Sequence, residues 1–467
     1  MITNCAALFG CRWRRGLLSP NPRRRLRRIV PIVPGADLIR LRRFLPVCLT
    51  VALVSVTSAS VIAEPLPSST GLQSREFVGT EAKNAIDGRG WSIEAALDSV
   101  FDSNILRDGS GFNTIGRSKA DFVFTPSATL RAGLPFGRQQ LFGTFIVGRD
   151  IYARNTDFDR TRINVGGGAN LRAGANCQGS LFGQYSERQG TQLDLVQIVP
   201  NKQQDTTFQA NAGCGPAHGI GFGGGFTRIE TRNGAAIFSL FDSNTSVYNA
   251  NVRYNSGVLG TITVTGSYSD VSYPGRAPPA FSATDGVRVY SGQVAYRRDF
   301  GPLLNANVGV SYVKAEPKLA FFDINGVRTN AGYSGPGFDV SLGYHPGIRL
   351  NGTLSATRNV TASANVGALY TIDSNYALDI TYTLSPRINA GVGGSVSTRD
   401  YRGAFASAAN PVPLIHDTLH RVYAQATYTP TRRYSVNLIV AQQGRRSNPN
   451  QYNFDSTSAT VGLRAKF

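Results

Sequence analysis

The feature that most constrains this chain is a series of short segments in which every second residue is apolar. In residues 376–384 the even positions are Tyr, Leu, Ile, Tyr and Leu, and the odd positions are Ala, Asp, Thr and Thr. Successive side chains of a β-strand point to opposite faces, so a period of two predicts strands with one apolar face. The same pattern recurs in residues 262–268, 304–312, 338–344 and 350–356.

The polar faces of these segments consist of Asn, Thr, Ser and Gly with an occasional Arg, and Lys is nearly absent from them. A water-soluble sheet buries its apolar face in a core and exposes charged residues on the other face. An outer-membrane barrel has the opposite arrangement, because its apolar face contacts lipid and its polar face lines a lumen. The pattern therefore predicts an all-β, transmembrane, antiparallel up-and-down barrel.

The lengths of the connections support this prediction. We predict eighteen strands, and their odd-numbered connections hold about 7 to 24 residues while the even-numbered ones hold about 3 to 6, with boundaries good to about two to four residues. Short periplasmic turns alternating with long extracellular loops produce this rhythm, and a soluble β-sandwich or propeller gives no reason for it. The predicted strands begin near Trp91, Asp121, Gln140, Arg160, Cys177, Thr206, Ile220, Ser246, Leu259, Val287, Leu303, Phe338, Ile348, Tyr376, Ile388, Leu419, Tyr434 and Ala459.

The positive charge of the chain is concentrated in its first 63 residues. This segment holds eleven Arg and one acidic residue, Asp37, so it accounts for most of the net charge of +19. Nucleic acid is therefore not an expected partner. Residues 44–63 are apolar and end in Val61-Ile62-Ala63, which predicts a signal peptide cleaved after Ala63; a membrane anchor is the alternative. We expect a removed leader at 1–63, a short periplasmic segment at 64–90 and the barrel at 91–467.

Only two cysteines, Cys177 and Cys214, follow the leader. They are predicted to lie at the periplasmic ends of neighbouring antiparallel strands and to point outward from the same rim. Facing residues of such strands are close enough for a disulfide, and an exported protein meets an oxidising environment. We therefore expect a disulfide, with two free thiols as the alternative.

No residue pattern predicts catalysis, a cofactor or a metal site. The four histidines are His218, His345, His416 and His420, and none has a Ser and an acid at a recognisable spacing; the last two would need a helix to face one metal ion. Residues 221–225 are rich in Gly, but no helix is predicted after them, so glycine packing in a barrel wall is favoured over a phosphate loop. We expect a non-enzymatic protein.

The parity of the strands predicts which side chains line the lumen. A ring of Arg attracts anions, whereas Asn and Thr suit sugar hydroxyls and carboxylates, and a generic hydrated lumen is the alternative. Residues 314–337, with Phe321 and Phe322, and residues 399–418, with Pro411 and Pro413, are long enough to fold inward as constrictions. The predicted pore-lining residues are Arg131, Arg162, Arg172, Arg253, Arg349, Arg464, Asn249, Asn251, Asn305, Asn307 and Asn351, together with Asn164, Asn170 and Asn389.

Residues 95–107 read AALDSVFDSNILR. The run Phe101-Asp102-Ser103-Asn104-Ile105-Leu106-Arg107 resembles the aromatic-Asp-x-Asn-apolar-apolar-Arg signature of outer-membrane barrels encoded in exopolysaccharide biosynthesis clusters, of the EpsL-like, β-barrel porin type. Leu106 stands where that family often has Phe. The alternating final strand ending in Phe467 resembles the signal read by the outer-membrane assembly machinery.

The resemblance implies that the barrel takes part in exporting an exopolysaccharide through the outer membrane of a Gram-negative bacterium. A general or anion-preferring diffusion porin for small solutes and a surface-structural barrel that binds partners through its loops are the alternatives. The expected partners are outer-membrane lipid, the barrel assembly machinery, a polysaccharide and periplasmic export components.

Overall fold

The computed structural model describes residues 90–107, 117–190, 200–276, 284–319, 332–362, 368–403 and 414–467. The predicted leader, the predicted periplasmic segment up to residue 89, and the residues Phe321, Phe322, Pro411 and Pro413 lie outside the described residues. No helix within the described ranges is long and apolar enough to cross a membrane. Four 3₁₀ turns lie in the connections, at Thr156–Phe158, Ala236–Phe241, Pro274–Arg276 and Asn450–Tyr452.

Eighteen strands form the fold. They are β1 Gly90–Asp102, β2 Asp121–Phe136, β3 Gln139–Tyr152, β4 Arg160–Ala173, β5 Cys177–Gln189, β6 Lys202–Cys214, β7 Gly219–Asn233, β8 Ser243–Ser256, β9 Gly260–Tyr273, β10 Asp285–Phe300, β11 Leu304–Pro317, β12 Tyr333–Tyr344, β13 Leu350–Ala362, β14 Tyr370–Ser385, β15 Ile388–Arg402, β16 His416–Thr431, β17 Tyr434–Asn448 and β18 Phe454–Lys466.

The sheet closes on itself. Each strand pairs antiparallel with the next one along the chain, and β1 pairs with both β2 and β18. At the seam Leu97 faces Leu463 of β18 on one side and Pro126 of β2 on the other. Closure leaves no strand edge unpaired, as a sheet surrounded by lipid requires. The prediction of an eighteen-stranded antiparallel barrel is confirmed.

The apolar faces of the strands form the outer wall. On β14, Tyr376 and Leu378 are 48 % and 47 % exposed, while Asp379 points inward. Aromatic rings align across neighbouring strands near the ends that carry the long connections: Tyr248 faces Tyr268, and Tyr268 faces Tyr290 with ring centroids 5.1 Å apart. A second aromatic follows six positions along β8, at Tyr254, about 20 Å away along the strand. Two such rows are typical of the girdles that flank the apolar band of an outer-membrane barrel.

The connections alternate in length as predicted, although both classes are shorter than expected. The turns at one end hold two to five residues, and the connections at the other end hold five to eighteen. Gly137 and Gly301 adopt φ angles of +60° and +67° in two of the short turns, a conformation that glycine reaches without strain. By the porin rule the short turns mark the periplasmic end and the long connections the extracellular end.

Strand lengths account for the difference from the predicted connections. The strands contain 12 to 16 residues, more than the 9 to 11 or so that span a membrane. Three strands begin five or six residues before their predicted starts, at Tyr333, Tyr370 and Phe454, all at the extracellular end. These extensions lie beyond the lipid, so they pair as strands without an alternating apolar face. The alternation of apolar and polar residues, from which the strand starts were predicted, therefore covers less of the chain than the strands do.

Candidate functional site: the barrel lumen

Amide side chains form one part of the inner wall. Asn249 and Asn251 point inward from β8 and lie over the glycines of the neighbouring β7. A methyl carbon placed on Gly225 would lie 3.0 Å from Nδ2 of Asn249, and one on Gly223 would lie 3.0 Å from Oδ1 of Asn251. Residues 221–225 thus lie within β7, as the glycine-packing interpretation predicts. The missing side chains leave room for the amides to lie flat against the wall.

Three of the other predicted asparagines face the lumen closer to the periplasmic end. Asn305 lies at the start of β11, where its Nδ2 is 3.0 Å from Nε2 of His345 in the adjacent turn. Asn307 donates a hydrogen bond of 3.3 Å to Asp339 of β12. Asn351 lies at the start of β13 and is exposed. These side chains give the wall a neutral, hydrogen-bonding surface.

Three of the predicted arginines face the lumen but are paired with carboxylates. Arg131 and Arg464 flank β1 on either side, and both reach Glu94, at 3.2 Å and 4.0 Å. Arg464 also lies 3.5 Å from Asp98 of β1. Arg162 lies 3.6 Å from Asp150. Attraction of anions by these cations stays a prediction, and the inward acids at the same parity, which it did not count, reduce the free positive charge of these three arginines.

The remaining three predicted arginines lie at the periplasmic end. Arg253 points inward from β8 beside Gly221. Arg172 lies near the end of β4, where its backbone N–H donates to the Gln139 side chain and its carbonyl accepts a hydrogen bond from the same side chain. Arg349 does not belong to a strand: it lies in the turn before β13, and its carbonyl accepts a hydrogen bond from the Thr383 amide. The predicted start near Ile348 was two residues early. Arg349 is therefore a rim residue rather than part of the barrel wall.

At the extracellular end the inward face becomes apolar and buried. Val271, Val287, Val289 and Val313 point inward from β9, β10 and β11, and each is at most 7 % exposed. They belong to one apolar cluster that extends along the wall to Tyr370, the first residue of β14, and to Leu369 before it. Four strands separate β9 from β14 in the wall. The Tyr273 hydroxyl of β9 nevertheless donates directly to the Leu369 carbonyl, so the two segments meet over the lumen.

We call the segments that meet there the roof: Ala236–Phe241, Pro274–Arg276, residues 368–369, residues 414–415 and Asn450–Tyr452. Arg276, in the connection between β9 and β10, binds two other connections. Its Nε donates to the Leu240 carbonyl at 2.8 Å, and its Nη1 donates to the Ala368 carbonyl at 3.3 Å. Its guanidinium lies 3.9 Å from the ring centroid of Tyr273, whose hydroxyl donates to the Leu369 carbonyl. Burial lowers the pKa of the Arg276 guanidinium, and the charges of Tyr273 and Asp285 oppose that shift.

The roof continues toward the seam of the barrel. A second buried apolar cluster is drawn from three connections and the end of β15; its members are Ala368, Tyr401, Leu414 and Tyr452. Leu414 lies in the predicted constriction at 399–418, and it is fully buried. The other predicted constriction, 314–337, is described only at its ends, which belong to β11 and β12.

A buried ionic cluster supports the roof from the wall below it. Asp417 of β16 has no exposed surface, and it accepts hydrogen bonds from Arg399 at 2.7 Å and 2.9 Å and from the Tyr401 hydroxyl at 3.0 Å. Arg445 of β17, also fully buried, lies 2.5 Å from the same carboxylate. Two guanidiniums thus share one carboxylate. All three residues have inward parity, but no pattern in the sequence predicts that they form one cluster.

Arg421 lies lower on β16 and faces the lumen. Among the described residues no carboxylate lies within ion-pair distance of its guanidinium, which lies 5.3 Å from the ring centroid of Tyr423. The nearby Asp379 already accepts a short hydrogen bond from the Tyr423 hydroxyl. Arg421 was not among the predicted pore-lining residues, although it has the same parity as the polar positions of β16.

The signature at residues 101–107 closes the extracellular end of the seam. Asp102 accepts hydrogen bonds from the Asn104 amide at 2.8 Å and the Ser456 hydroxyl at 2.5 Å, and it pairs with Arg107 at 2.8 Å. Asn104 donates its side-chain amide to the Asp455 carbonyl of β18. Arg107 adopts a φ of +51°. The motif ties the chain after β1 to β18, a structural task that explains its polar residues without a ligand.

The two cysteines lie at the periplasmic ends of β5 and β6. Cys177 and Cys214 are directly paired in the sheet, with Cα atoms 4.1 Å apart, and they form a disulfide. Both have the parity of lipid-facing residues such as Leu181 and Phe208. His416 and His420 lie on the strand β16, and the described residues contain no cluster of three metal-ligating side chains.

Comparison with known proteins adds a family relationship to this geometry. Residues 278–467 match the family model described as "Putative beta-barrel porin 2". The chain is a closed transmembrane β-barrel, and its C-terminal part is similar to that porin family. No curated protein matches the chain.

Solved outer-membrane proteins have similar folds. The outer membrane protein opdK from Pseudomonas aeruginosa is 10 % identical, with a TM-score of 0.44 over 81 % of this chain and 100 % of that one. OccK2 (OpdF) from the same organism, solved in complex with glucuronate, is 11 % identical, with a TM-score of 0.45 over 82 % and 99 %. A BenF-like porin from Pseudomonas fluorescens Pf-5 is 9 % identical, with a TM-score of 0.45 over 81 % and 99 %.

Proposed function

We propose that this chain is a non-enzymatic diffusion porin in the outer membrane of a Gram-negative bacterium, through which small polar solutes pass. The observation that carries the proposal is the inward face of the closed barrel, where neutral amides and hydroxyls alternate with ion pairs such as Arg131 and Glu94. Eighteen strands enclose more space than their side chains fill. A lumen with such a lining holds water and binds no single solute strongly.

The proposal includes a weak preference for anions. Arg131, Arg162 and Arg464 are paired with carboxylates. Among the described residues Arg172, Arg253 and Arg421 have no ion pair, so they place fixed positive charge on the lumen wall. A fixed positive charge in a narrow aqueous passage raises the local concentration of anions.

Export of an exopolysaccharide stays a prediction that rests on the resemblance of residues 101–107. The contacts of Asp102, Asn104 and Arg107 close the barrel seam and carry no information about a polymer. A polymer would also require the roof to move, because the roof segments contact one another across the lumen. The diffusion porin needs no such movement as long as small solutes pass beside the roof.

The proposed partners follow from the surface of the barrel. Lipid contacts the exposed apolar outer wall, and the assembly machinery would read the C-terminal residue, Phe467. This residue is 45 % exposed at the periplasmic rim, and its backbone amide donates to the Ile93 carbonyl at 2.7 Å. A periplasmic export component would be a partner only in the polysaccharide hypothesis.

Solute flux into liposomes tests the proposed function. Proteoliposomes containing the full mature chain should swell in solutions of small sugars and amino acids and should exclude large oligosaccharides. Replacing Arg421 by Gln should lower the ratio of chloride to potassium permeability in a salt gradient, while Arg446→Gln, an exposed outward residue, should leave it unchanged. Proteoliposomes that admit no small solute would contradict the proposal.

A further inference from the structure

Two phenylalanines are exceptions to the polar lining of the lumen. Phe142 of β3 has the opposite parity to the lipid-facing Leu141 and Phe145, and Phe182 of β5 has the opposite parity to the lipid-facing Leu181. Both rings therefore point inward, and both are half-buried. They lie below the roof, near the periplasmic half of their strands. Apolar surface facing a hydrated lumen is unfavourable unless it covers or binds something.

Part of the explanation is that the rings cover glycines of β4, the strand between them. Phe142 and Phe182 both pair with Gly168 in the register of the sheet. A methyl carbon on Gly168 would lie 2.8 Å from Cζ of Phe142, and one on Gly166 would lie 3.3 Å from Cζ of Phe182. Each ring thus lies against the bare backbone of a different glycine.

The two rings together form a flat surface. Their planes differ by 18° and their centroids are 6.2 Å apart. Two residues along a strand are about 6.6 Å apart, which is also the spacing of Gly166 and Gly168. The two rings lean over different glycines of β4, and both side chains are half-buried, so part of each ring is open to the lumen.

Neutral hydrogen-bonding groups surround this surface. In the register of the sheet, the next inward-facing residues toward the extracellular end are Thr144 and Gln184. The next ones toward the periplasmic end are Gln140, Asn170 and Ser180. Asn170 donates to Gln140 at 3.5 Å, a long contact that a ligand hydroxyl can replace. None of these neighbours is charged, although Arg131 of β2 faces Thr144 and is paired with Glu94.

We propose that Phe142 and Phe182 form a stacking site for pyranose sugars on the lumen wall. A pyranose presents C–H groups on its flat face and hydroxyls around its edge, so it matches an aromatic surface bordered by amides. The amide border, beside which Arg131 is already paired with Glu94, favours an uncharged sugar over an aromatic carboxylate. This inference deepens the proposed function, because it names a class of solute that the lumen retains on passage.

Equilibrium binding of maltose to the purified, detergent-solubilised mature chain tests the site without requiring conductance. We expect binding measured by calorimetry, with affinity falling about fivefold or more when either ring is removed, as for other aromatic stacking sites. The decisive variants are Phe142→Leu and Phe182→Leu, because leucine still covers glycine but offers no aromatic face. Phe145→Leu on the lipid side of β3 is the matched control and should bind as the parent does.

The outcomes separate the site from the porin. No maltose binding by the parent chain, equal binding by the double Leu variant, or tighter binding of benzoate than of maltose would each overturn the sugar site. Maltose binding lost in the Leu variants would support it, even if bilayer recordings showed no current and so contradicted the porin. Retained heat-modifiable mobility on gels identifies the variants that are folded.

Discussion

Removing the charge of Asp417 provides a sharp test of the inner wall near the roof. In Asp417→Asn the side chain keeps its size and one carbonyl oxygen, but the guanidiniums of Arg399 and Arg445 lose their shared anion. Asp417 and Arg445 have no exposed surface and Arg399 is only 7 % exposed, so water cannot replace the lost charge. The substitution leaves two like charges close together in a buried site.

The expected loss of stability is large. Breaking a buried ion pair by removing one partner costs about 3 to 5 kcal/mol, because the remaining charge stays uncompensated. Asp455→Asn is the matched control: its carboxylate pairs with Arg446 at 3.0 Å, but both side chains are more than half exposed. Exposed pairs contribute about 0 to 1 kcal/mol. The two substitutions make the same chemical change on β16 and β18, at carboxylates that differ in burial and in the number of their partners.

Unfolding in urea with the protein in detergent measures the difference. Trp91 is the only tryptophan after the leader and lies on the outer wall, so its fluorescence reports loss of the barrel. We expect the midpoint of Asp417→Asn to fall well below that of the parent chain and Asp455→Asn to stay close to it. Equal midpoints for the two variants would refute the argument that Asp417 is the buried counter-ion of two arginines.

Three further predictions concern the lumen and its ends. Arg276→Leu should raise single-channel conductance, since it removes the hydrogen bonds to the Leu240 and Ala368 carbonyls that hold roof segments together; unchanged conductance would show that the roof does not depend on this side chain. Glu94→Gln should increase the chloride preference in a salt gradient, because Arg131 and Arg464 lose a shared carboxylate; a shift toward potassium would contradict the assigned pairs. Alkylation of the denatured protein without reductant should label neither Cys177 nor Cys214; two labelled thiols in the mass spectrum would mean that the bond is absent.

The sequence predicted the strands well wherever lipid contacts them. Lipid on one side and water on the other impose the period of two, so β14 could be recognised from the alternation after Tyr376. Beyond the lipid this constraint ends, and Ile372 and Tyr370 are buried by the roof although they have the parity of the outer wall. Local alternation cannot reveal a burial that depends on Leu369 reaching a distant strand.

The sequence predicted which arginines face the lumen, but it did not predict which of them are paired with acids. Parity placed Arg131 and Arg464 inward, and the same parity rule applied to β1 would have placed Glu94 and Asp98 between them. Phe142 and Phe182 could also have been recognised, because they are aromatic residues whose parity is opposite to that of the lipid-facing residues of the same strands. Pairing of Asp417 with Arg445, in contrast, depends on the relative register of β16 and β17, which the sequence of either strand alone does not determine.

Single-channel recording of the mature chain in planar bilayers tests the central claim most directly. The account predicts discrete, ohmic current steps with a modest preference for anions, because a hydrated lumen continues past the roof. If neither the parent chain nor Arg276→Leu produced any current steps after demonstrated insertion, the lumen would be closed and the diffusion porin contradicted.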